Sequence, residues 1–395
     1  MFDDADRRHM KKALLLGEKG IGRSSPNPSV GCVIVRDGRV VGRGWHDYAL
    51  RDHAEVGALR MAGRRAAGAV VYVTLEPCSH EGRTPPCADA LVRAGVRRVV
   101  AARTDPNPAV SGRGVERLRS AGIRVDVGLC AEEAGRLIEP FACHITTGRP
   151  LVVSKVGMTL DGKIGTGSAA GRAISSPGGL AFGQRLRLAS DAILVGVDTV
   201  LSDDPELTYR GRRKRARPLV RAILDSRLRT PPDSRLLRVA PDSPVLVFCA
   251  PDAPGASRRK LEGAGAEIVA VPRSAEGLDL GAVLGELGAR NILGLLVEGG
   301  SRVHWAFLAA GRVDVFHFII APMVLGGRTA IPAVGGRGFG STAEALRFRI
   351  RRTLRTGPDV VLETYPECSR SIISPWLSGN APSPGPDPAP PSGPR

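Results

Sequence analysis

Short apolar runs alternate with amphipathic stretches along most of this chain, and their spacing predicts its elements. Residues 30–35 (VGCVIV) form a continuous apolar run, closed by Asp37-Gly38 and answered by residues 39–45 (RVVGRGW). An Asp-Gly pair between two such runs predicts a β-hairpin, because both turn positions take positive φ. A helical pattern follows over 54–61, then a strand at 69–75, a helix near 88–94, a strand at 97–101, a helix at 114–121 and a strand at 123–127. This alternation predicts a mixed sheet covered by helices, an α/β layer. The opening MFDDADRRHMKKALLLGEKG is charged and only briefly apolar, so it predicts an amphipathic helix rather than a signal peptide.

The pattern restarts at Arg149-Pro150, where proline interrupts it. Strands are expected at 151–156, 192–197, 220–224, 245–249, 267–271, 292–297 and 313–321. Helices are expected between them, at 179–189, 257–263, 280–287 and 302–310. This half is α/β as well. The chain changes character from about Pro366, and NAPSPGPDPAPPSGPR is too poor in apolar residues to bury a core. The expected organisation is a domain over 1–147, a second over 150–365 and a disordered tail over 366–395.

Composition narrows the function. A chain of 395 residues suits two cores, and its hydrophobic content of 43% supplies them. No apolar run approaches the length of a membrane span. The net charge of +17 comes mostly from arginine, with seven lysines among 56 basic residues. Aromatics at 4% leave few rings on which bases could stack, so a nucleic-acid partner is not expected. The densest basic cluster, residues 210–217 (RGRRKRAR), reads as a solvated loop. A basic balance also suits a small phosphorylated substrate. Seven cysteines, an odd number with no secretory signal, point to a reducing cytoplasm. The oligomeric state stays open, a homo-oligomer included.

Chemistry concentrates in His53-Ala54-Glu55, Pro77-Cys78 and Cys87. A zinc deaminase needs three protein ligands, an open position for water and a carboxylate that moves protons without binding metal. His53, Cys78 and Cys87 supply the ligands, and Glu55 supplies the carboxylate. Each falls at a strand–helix junction, where a helix N-terminus favours anionic groups. A structural zinc site would need a fourth protein ligand, and only three align. The cysteines Cys32, Cys130, Cys143, Cys249 and Cys368 stand without such company and read as small apolar core residues.

Eight residues separate Cys78 from Cys87, where cytidine and transfer-RNA deaminases have two. With NPSVGCV (27–33), TLEPCSHEGRTPPC (74–87) and DPNPAVSGRG (105–114), residues 5–147 resemble the deaminase half of the bifunctional deaminase–reductase of riboflavin biosynthesis. The resemblance implies a cytidine-deaminase-like α/β/α layer. It also implies hydrolytic loss of one amine from a diaminopyrimidinone ribosylamino 5′-phosphate. By matching positions, Asn27, His46 and Arg83 become candidate substrate contacts; for Arg83 a solvated loop charge is an equal reading. A nucleic-acid-editing deaminase is the rival, and the long cysteine spacing counts against it.

From spacing alone, the second half offers only Glu298-Gly299-Gly300 between a strand and a helix, a turn whose N–H groups can approach phosphate. It lacks the full glycine fingerprint of a Rossmann domain. KVGMTLDGKIG (155–165), ILVGVDTVLSDDPELTYR (193–210), LDS (224–226) and LLVEGGSRVHWAFL (295–308) resemble the reductase half of the same enzyme family. That resemblance implies a dihydrofolate-reductase-like α/β fold and hydride transfer from NADPH to the sugar C1′, turning ribosyl into ribityl. It assigns Gly157, Ala173, Thr199, Asp203, Ser226, Gly300, Ser301, Arg302 and Val303 to the cofactor. It assigns Ser175, Arg187, Leu207, Arg210 and Glu298 to the substrate. Lys155 and Lys163 fall in the first of these motifs, which hints at a need for lysine. Ala173 departs from the family, which usually has tryptophan there. The change removes a large ring from beside the cofactor, and Arg172 could compensate by pairing with a phosphate. A deaminase with a weakened reductase is therefore the alternative.

Overall fold

Asp3 starts the first helix, α1 (Asp4–Gly20), in a capping box with Asp6: its carboxylate accepts the Asp6 N–H at 2.7 Å, and the Asp6 carboxylate accepts the Asp3 N–H at 3.4 Å. The computed structural model describes residues 2–50, 52–81, 85–108, 110–166 and 174–367. The N-terminal half follows with β1 (Gly31–Arg36), β2 (Arg39–Trp45), α2 (Ala54–Ala62), β3 (Val70–Val73), α3 (Cys87–Arg93), β4 (Arg98–Ala101), α4 (Arg113–Ser120) and β5 (Arg124–Val127). Two further helices, α5 (Ala131–Leu137) and α6 (Glu139–Thr147), complete it. Its sheet runs in the order β2-β1-β3-β4-β5, antiparallel around β1 and parallel from β3 to β5. Asp37 and Gly38 take φ 49° and 73°, as the hairpin turn requires. Helix α2 lies directly on β2. A Cβ on Gly44 would stand 2.0 Å from the Ala54 carbonyl oxygen, so glycine is what lets the helix that begins at His53 approach.

The C-terminal half contains β6 (Leu151–Thr159), β7 (Lys163–Gly165), α7 (Pro177–Ala189), β8 (Ala192–Gly196), α8 (Val197–Asp203), β9 (Val220–Leu224), α9 (Arg235–Arg238) and β10 (Val245–Cys249). It continues with α10 (Gly255–Gly263), β11 (Glu267–Ala270), β12 (Arg273–Ser274), β13 (Gly277–Leu278), α11 (Leu280–Ala289), β14 (Gly294–Val297) and α12 (Ser301–Ala309). Strands β15 (Val315–Ala321), β16 (Ile331–Pro332), β17 (Phe348–Thr356) and β18 (Asp359–Pro366) close it. Nine strands form one sheet in the order β11-β10-β9-β8-β14-β6-β15-β18-β17, parallel from β11 to β15 and antiparallel over the last two. Fully buried Val152, Leu194, Phe248, Leu295 and Phe316 fill one of its faces. Ile193, Val195, Ile223 and Val247 fill the other. No helix among the described residues is long and apolar enough to cross a membrane.

The expected strands and helices are present, with shifts of a few residues. Hydrophobic patterning did not predict the β17–β18 hairpin. Strand β17 reads FRIRRTLRT at the sheet edge, and its mostly exposed positions give no apolar alternation. Residues 210–217 form an irregular loop, exposed over 210–214 as expected, but two of its arginines are engaged rather than simply solvated. Arg213 Nη2 donates to the carbonyls of Glu18, Lys19 and Ile21 at 3.1, 2.7 and 3.3 Å, at the end of α1. Arg215 donates to those of Arg187, Leu188 and Ser190 at 2.6–2.9 Å, at the end of α7. Two arginines thus satisfy the orphan carbonyls of two helix C-termini, one from each half. The expected tail lies beyond the described residues, except Pro366 at the end of β18 and Glu367 after it.

Candidate active sites

His53 occupies the N-cap of α2 in an extended conformation, and Glu55 lies in the first turn, 4% exposed. Cys78 follows β3 in a loop, and Cys87 opens α3 behind Pro86. His53 Nδ1 stands 3.1 Å from Cys87 Sγ and 3.5 Å from Cys78 Sγ, while the Cys87 backbone N–H donates to Cys78 Sγ at 3.3 Å. The three ligand atoms lie within 4.8 Å of one another. The hydrogen bond from Cys87 holds Cys78 well below the thiol range, while the bond to Cys78 and burial push Cys87 far up. The bond to Cys78 raises His53. One nitrogen and two sulfurs at this spacing, beside an open cavity, fit a zinc ion.

That cavity has a volume of about 360 Å³. Glu55 lines it together with His53 and Cys78, and burial pushes the Glu55 carboxyl up to about 7. Asn27 and His46 line it as well and are bonded to each other, Asn27 Nδ2 lying 3.1 Å from His46 Nε2. The other ring nitrogen, Nδ1, lies 2.8 Å from the Asp52 carbonyl, which can only accept, so Nδ1 carries the proton. Burial holds His46 down at about 4, so Nε2 accepts from the Asn27 amide. Arg83 lies outside the described residues.

In the second half the candidate residues gather at the carboxyl ends of the parallel strands, where open α/β sheets bind ligands. Thr199 is on α8 after β8, Ser226 follows β9, and Gly300 caps α12 after β14. A Cβ on Gly300 would stand 3.5 Å from Thr199 Oγ1, and one on Gly299 would strike Val303 at 2.7 Å. Ser301 Oγ is buried with no hydrogen-bond partner. A glycine turn at a helix start with an unsatisfied hydroxyl fits the phosphate-rich NADPH. Gly157, on β6, faces Ser175: a Cβ there would come within 2.5 Å of Ser175 Oγ. Asp203 and Arg302 lie on the exposed surface. Leu207 is buried in a left-handed conformation, φ 53°. Arg210 donates its backbone N–H to Gln184, and its side chain is 64% exposed, with Nη1 3.9 Å from Glu206 Oε2. Ala173 lies outside the described residues.

Residues 150–362 match the RibD C-terminal domain family, and residues 3–103 match the cytidine and deoxycytidylate deaminase zinc-binding region. The riboflavin biosynthesis protein RibD of Aquifex aeolicus is 42% identical over 362 residues, 92% of this chain and 99% of that protein. The chain belongs to the RibD family. Among solved structures, Acinetobacter baumannii RibD, form 1, matches with a TM-score of 0.82 at 37% identity, over 92% of this chain and 99% of that one. A Thermotoga maritima diaminohydroxyphosphoribosylaminopyrimidine deaminase/5-amino-6-(5-phosphoribosylamino)uracil reductase matches at 0.79 and 33% identity, with the same coverage. As a member of the RibD family the chain is a bifunctional deaminase and reductase of riboflavin biosynthesis that uses zinc and NADPH. Its fold joins a cytidine-deaminase-like half to a RibD reductase half.

Sequence reading missed several residues of the cavity beside His53, Glu55 and Cys78. Glu76, Asp105, Asn107 and Phe141 line it. Asp105 and Asn107 belong to the DPNPAVSGRG motif, which had signalled the family without giving either residue a role. Phe141 arrives from α6, and nothing local in the sequence announces it.

Proposed function

We propose that His53, Cys78 and Cys87 hold the zinc, that Glu55 moves the protons of deamination, and that residues 1–147 and 150–365 form the deaminase and reductase domains. The observation that carries this is the convergence of His53 Nδ1 on both sulfurs, at 3.1 and 3.5 Å, beside a cavity that also receives Glu55. Zinc supplies a Lewis acid that brings water into the neutral titration range. Glu55 shares the cavity with the ligands without being one, so its carboxyl takes a proton from the attacking water and passes it to the departing amine. The cavity volume suits one nucleotide-sized ligand, the diaminopyrimidinone ribosylamino 5′-phosphate, rather than a nucleic-acid strand. His46 turns the Asn27 amide so that its NH₂ is occupied, leaving the Asn27 carbonyl to accept an N–H of the pyrimidine.

NADPH supplies the hydride in the second step. Gly157, Thr199, Asp203, Ser226 and Gly300 to Val303 hold it, and Ser175, Arg187, Leu207, Arg210 and Glu298 meet the ribosyl phosphate. The exposed Arg210 side chain, paired with Glu206 only at 3.9 Å, suits the 5′-phosphate. The cytoplasm is the compartment that suits six described thiols without a disulfide.

The test incubates purified native chain and Glu55→Gln with the diaminopyrimidinone phosphate, with and without NADPH, and identifies products by mass. The variant should retain one zinc per chain and lose deamination; deamination retained in Glu55→Gln overturns the assignment.

A further inference from the structure

Glu76 lies two residues before Cys78 and is 3% exposed. Its Oε2 accepts the backbone N–H groups of Asp105 and Gly112, and its Oε1 accepts that of Val115, each at 3.0 Å. Helix α4 has Gly112 at its N-cap and so no side chain of its own to cap it. The Glu76 carboxylate does this from another part of the chain, meeting two otherwise orphaned N–H groups at the positive end of the helix. A second contact fixes the same junction. A Cβ on Gly114 would stand 1.9 Å from the carbonyl oxygen of Pro77, so the first turn of α4 rests on the residue between Glu76 and Cys78. The stretch held in this way supplies Asp105, Asn107 and Val110 to the cavity that contains His53, Glu55 and Cys78. Asp105 in turn accepts the Asn107 N–H at 2.8 Å, which continues the fixed geometry along the wall.

We propose that Glu76 is a positioning residue for deamination: through three backbone N–H groups it fixes the Asp105–Asn107–Val110 wall relative to Cys78, and so seats the pyrimidine ring against Glu55. The proposal rests on the cavity being the deaminase site. A carboxylate suits the task better than an amide, because all three partners are donors and an amide NH₂ would face one of them.

The test uses full-length, zinc-loaded Glu76→Gln with the diaminopyrimidinone phosphate. KM for deamination should rise about tenfold or more, the scale of one lost charge-assisted hydrogen bond. Zinc should stay at one per chain, and reduction of the deaminated intermediate should proceed at the native rate. Asn107→Ala should raise KM as well, and the double variant should cost less than the sum, because both changes act on one wall. If Glu76→Gln does not fold, Glu76→Asp, which keeps the charge and withdraws it by one methylene, is read in the same way. Unchanged KM with only a lower melting temperature, loss of zinc, or an additive cycle overturns the proposal. Its failure is distinct from failure of the site itself, which is read from Glu55→Gln.

Discussion

Arg187 forks onto Glu298, Nε lying 2.9 Å from Oε1 and Nη2 2.9 Å from Oε2. Lys155 Nζ donates to the same Oε2 at 3.1 Å, and Arg187 Nη1 reaches the Thr208 carbonyl at 2.7 Å. Burial pushes the Glu298 carboxyl up, but Lys155 and Arg187 outweigh it and hold the group at about 2. Both residues were expected to face the substrate. The structure shows them engaged with each other first, so Arg187 also ties Glu298 to the loop that carries Leu207 and Arg210.

Arg187→Lys should therefore damage reduction more than a conservative change of charge suggests. Lysine cannot make the fork and reach Thr208 together. Loss of one buried charged hydrogen bond, about 1.5–3 kcal/mol, predicts a fall of about ten- to a hundredfold in reductase kcat/KM. Deamination measured on the same protein should be unchanged. An unaffected reductase would contradict this account.

Removal of the metal should separate the two activities. Chelation, or Cys87→Ser, should abolish deamination and zinc binding. NADPH-dependent reduction of the deaminated intermediate should persist, because Lys155, Arg187 and Glu298 form no part of the metal cluster. Parallel loss of both rates after chelation would show that zinc serves both steps.

Arg215→Ala should destabilise the protein more than Arg213→Ala. Arg215 is partly buried and serves two carbonyls of α7 and that of its C-cap Ser190, whereas Arg213 is exposed and reaches the end of α1 through one nitrogen. Expected losses are about 1.5–3 kcal/mol for the first and about 0.5–1.5 kcal/mol for the second. Chemical unfolding of the two variants measures the order, and the reverse ranking would count against the capping role.

Glu139, at the start of α6, gives a pH signature. Burial, with Asp314 and Glu363 nearby, pushes its carboxyl from the ordinary 4.5 up to about 8. Between those values the folded state binds a proton that the unfolded state has released, so this group's contribution to stability declines as pH rises. Glu139→Gln removes the decline. Its melting temperature relative to the native chain should climb from about pH 5 to about pH 8. A difference independent of pH would mean that Glu139 ionises normally in the fold.

The sequence by itself was enough to propose His53, Cys78 and Cys87 as zinc ligands with Glu55 beside them, because residue type, order and spacing at strand–helix junctions are local properties. It also determined most strands and helices, whose apolar periodicity survives without knowledge of the neighbours. The Asp37-Gly38 turn was legible for the same reason. Only the tertiary structure decided what Glu76 does, since its partners are backbone N–H groups 29 to 39 residues away and a backbone group leaves no mark in sequence. The same reason hid Arg213 and Arg215, which look like any solvated charges until helix-end carbonyls arrive beside them. Strand β17 was hidden by its own exposed arginines, and its place was settled by pairing with β18. Side-chain chemistry written close together can be read along the chain; contacts with distant main-chain atoms exist only once the chain has folded.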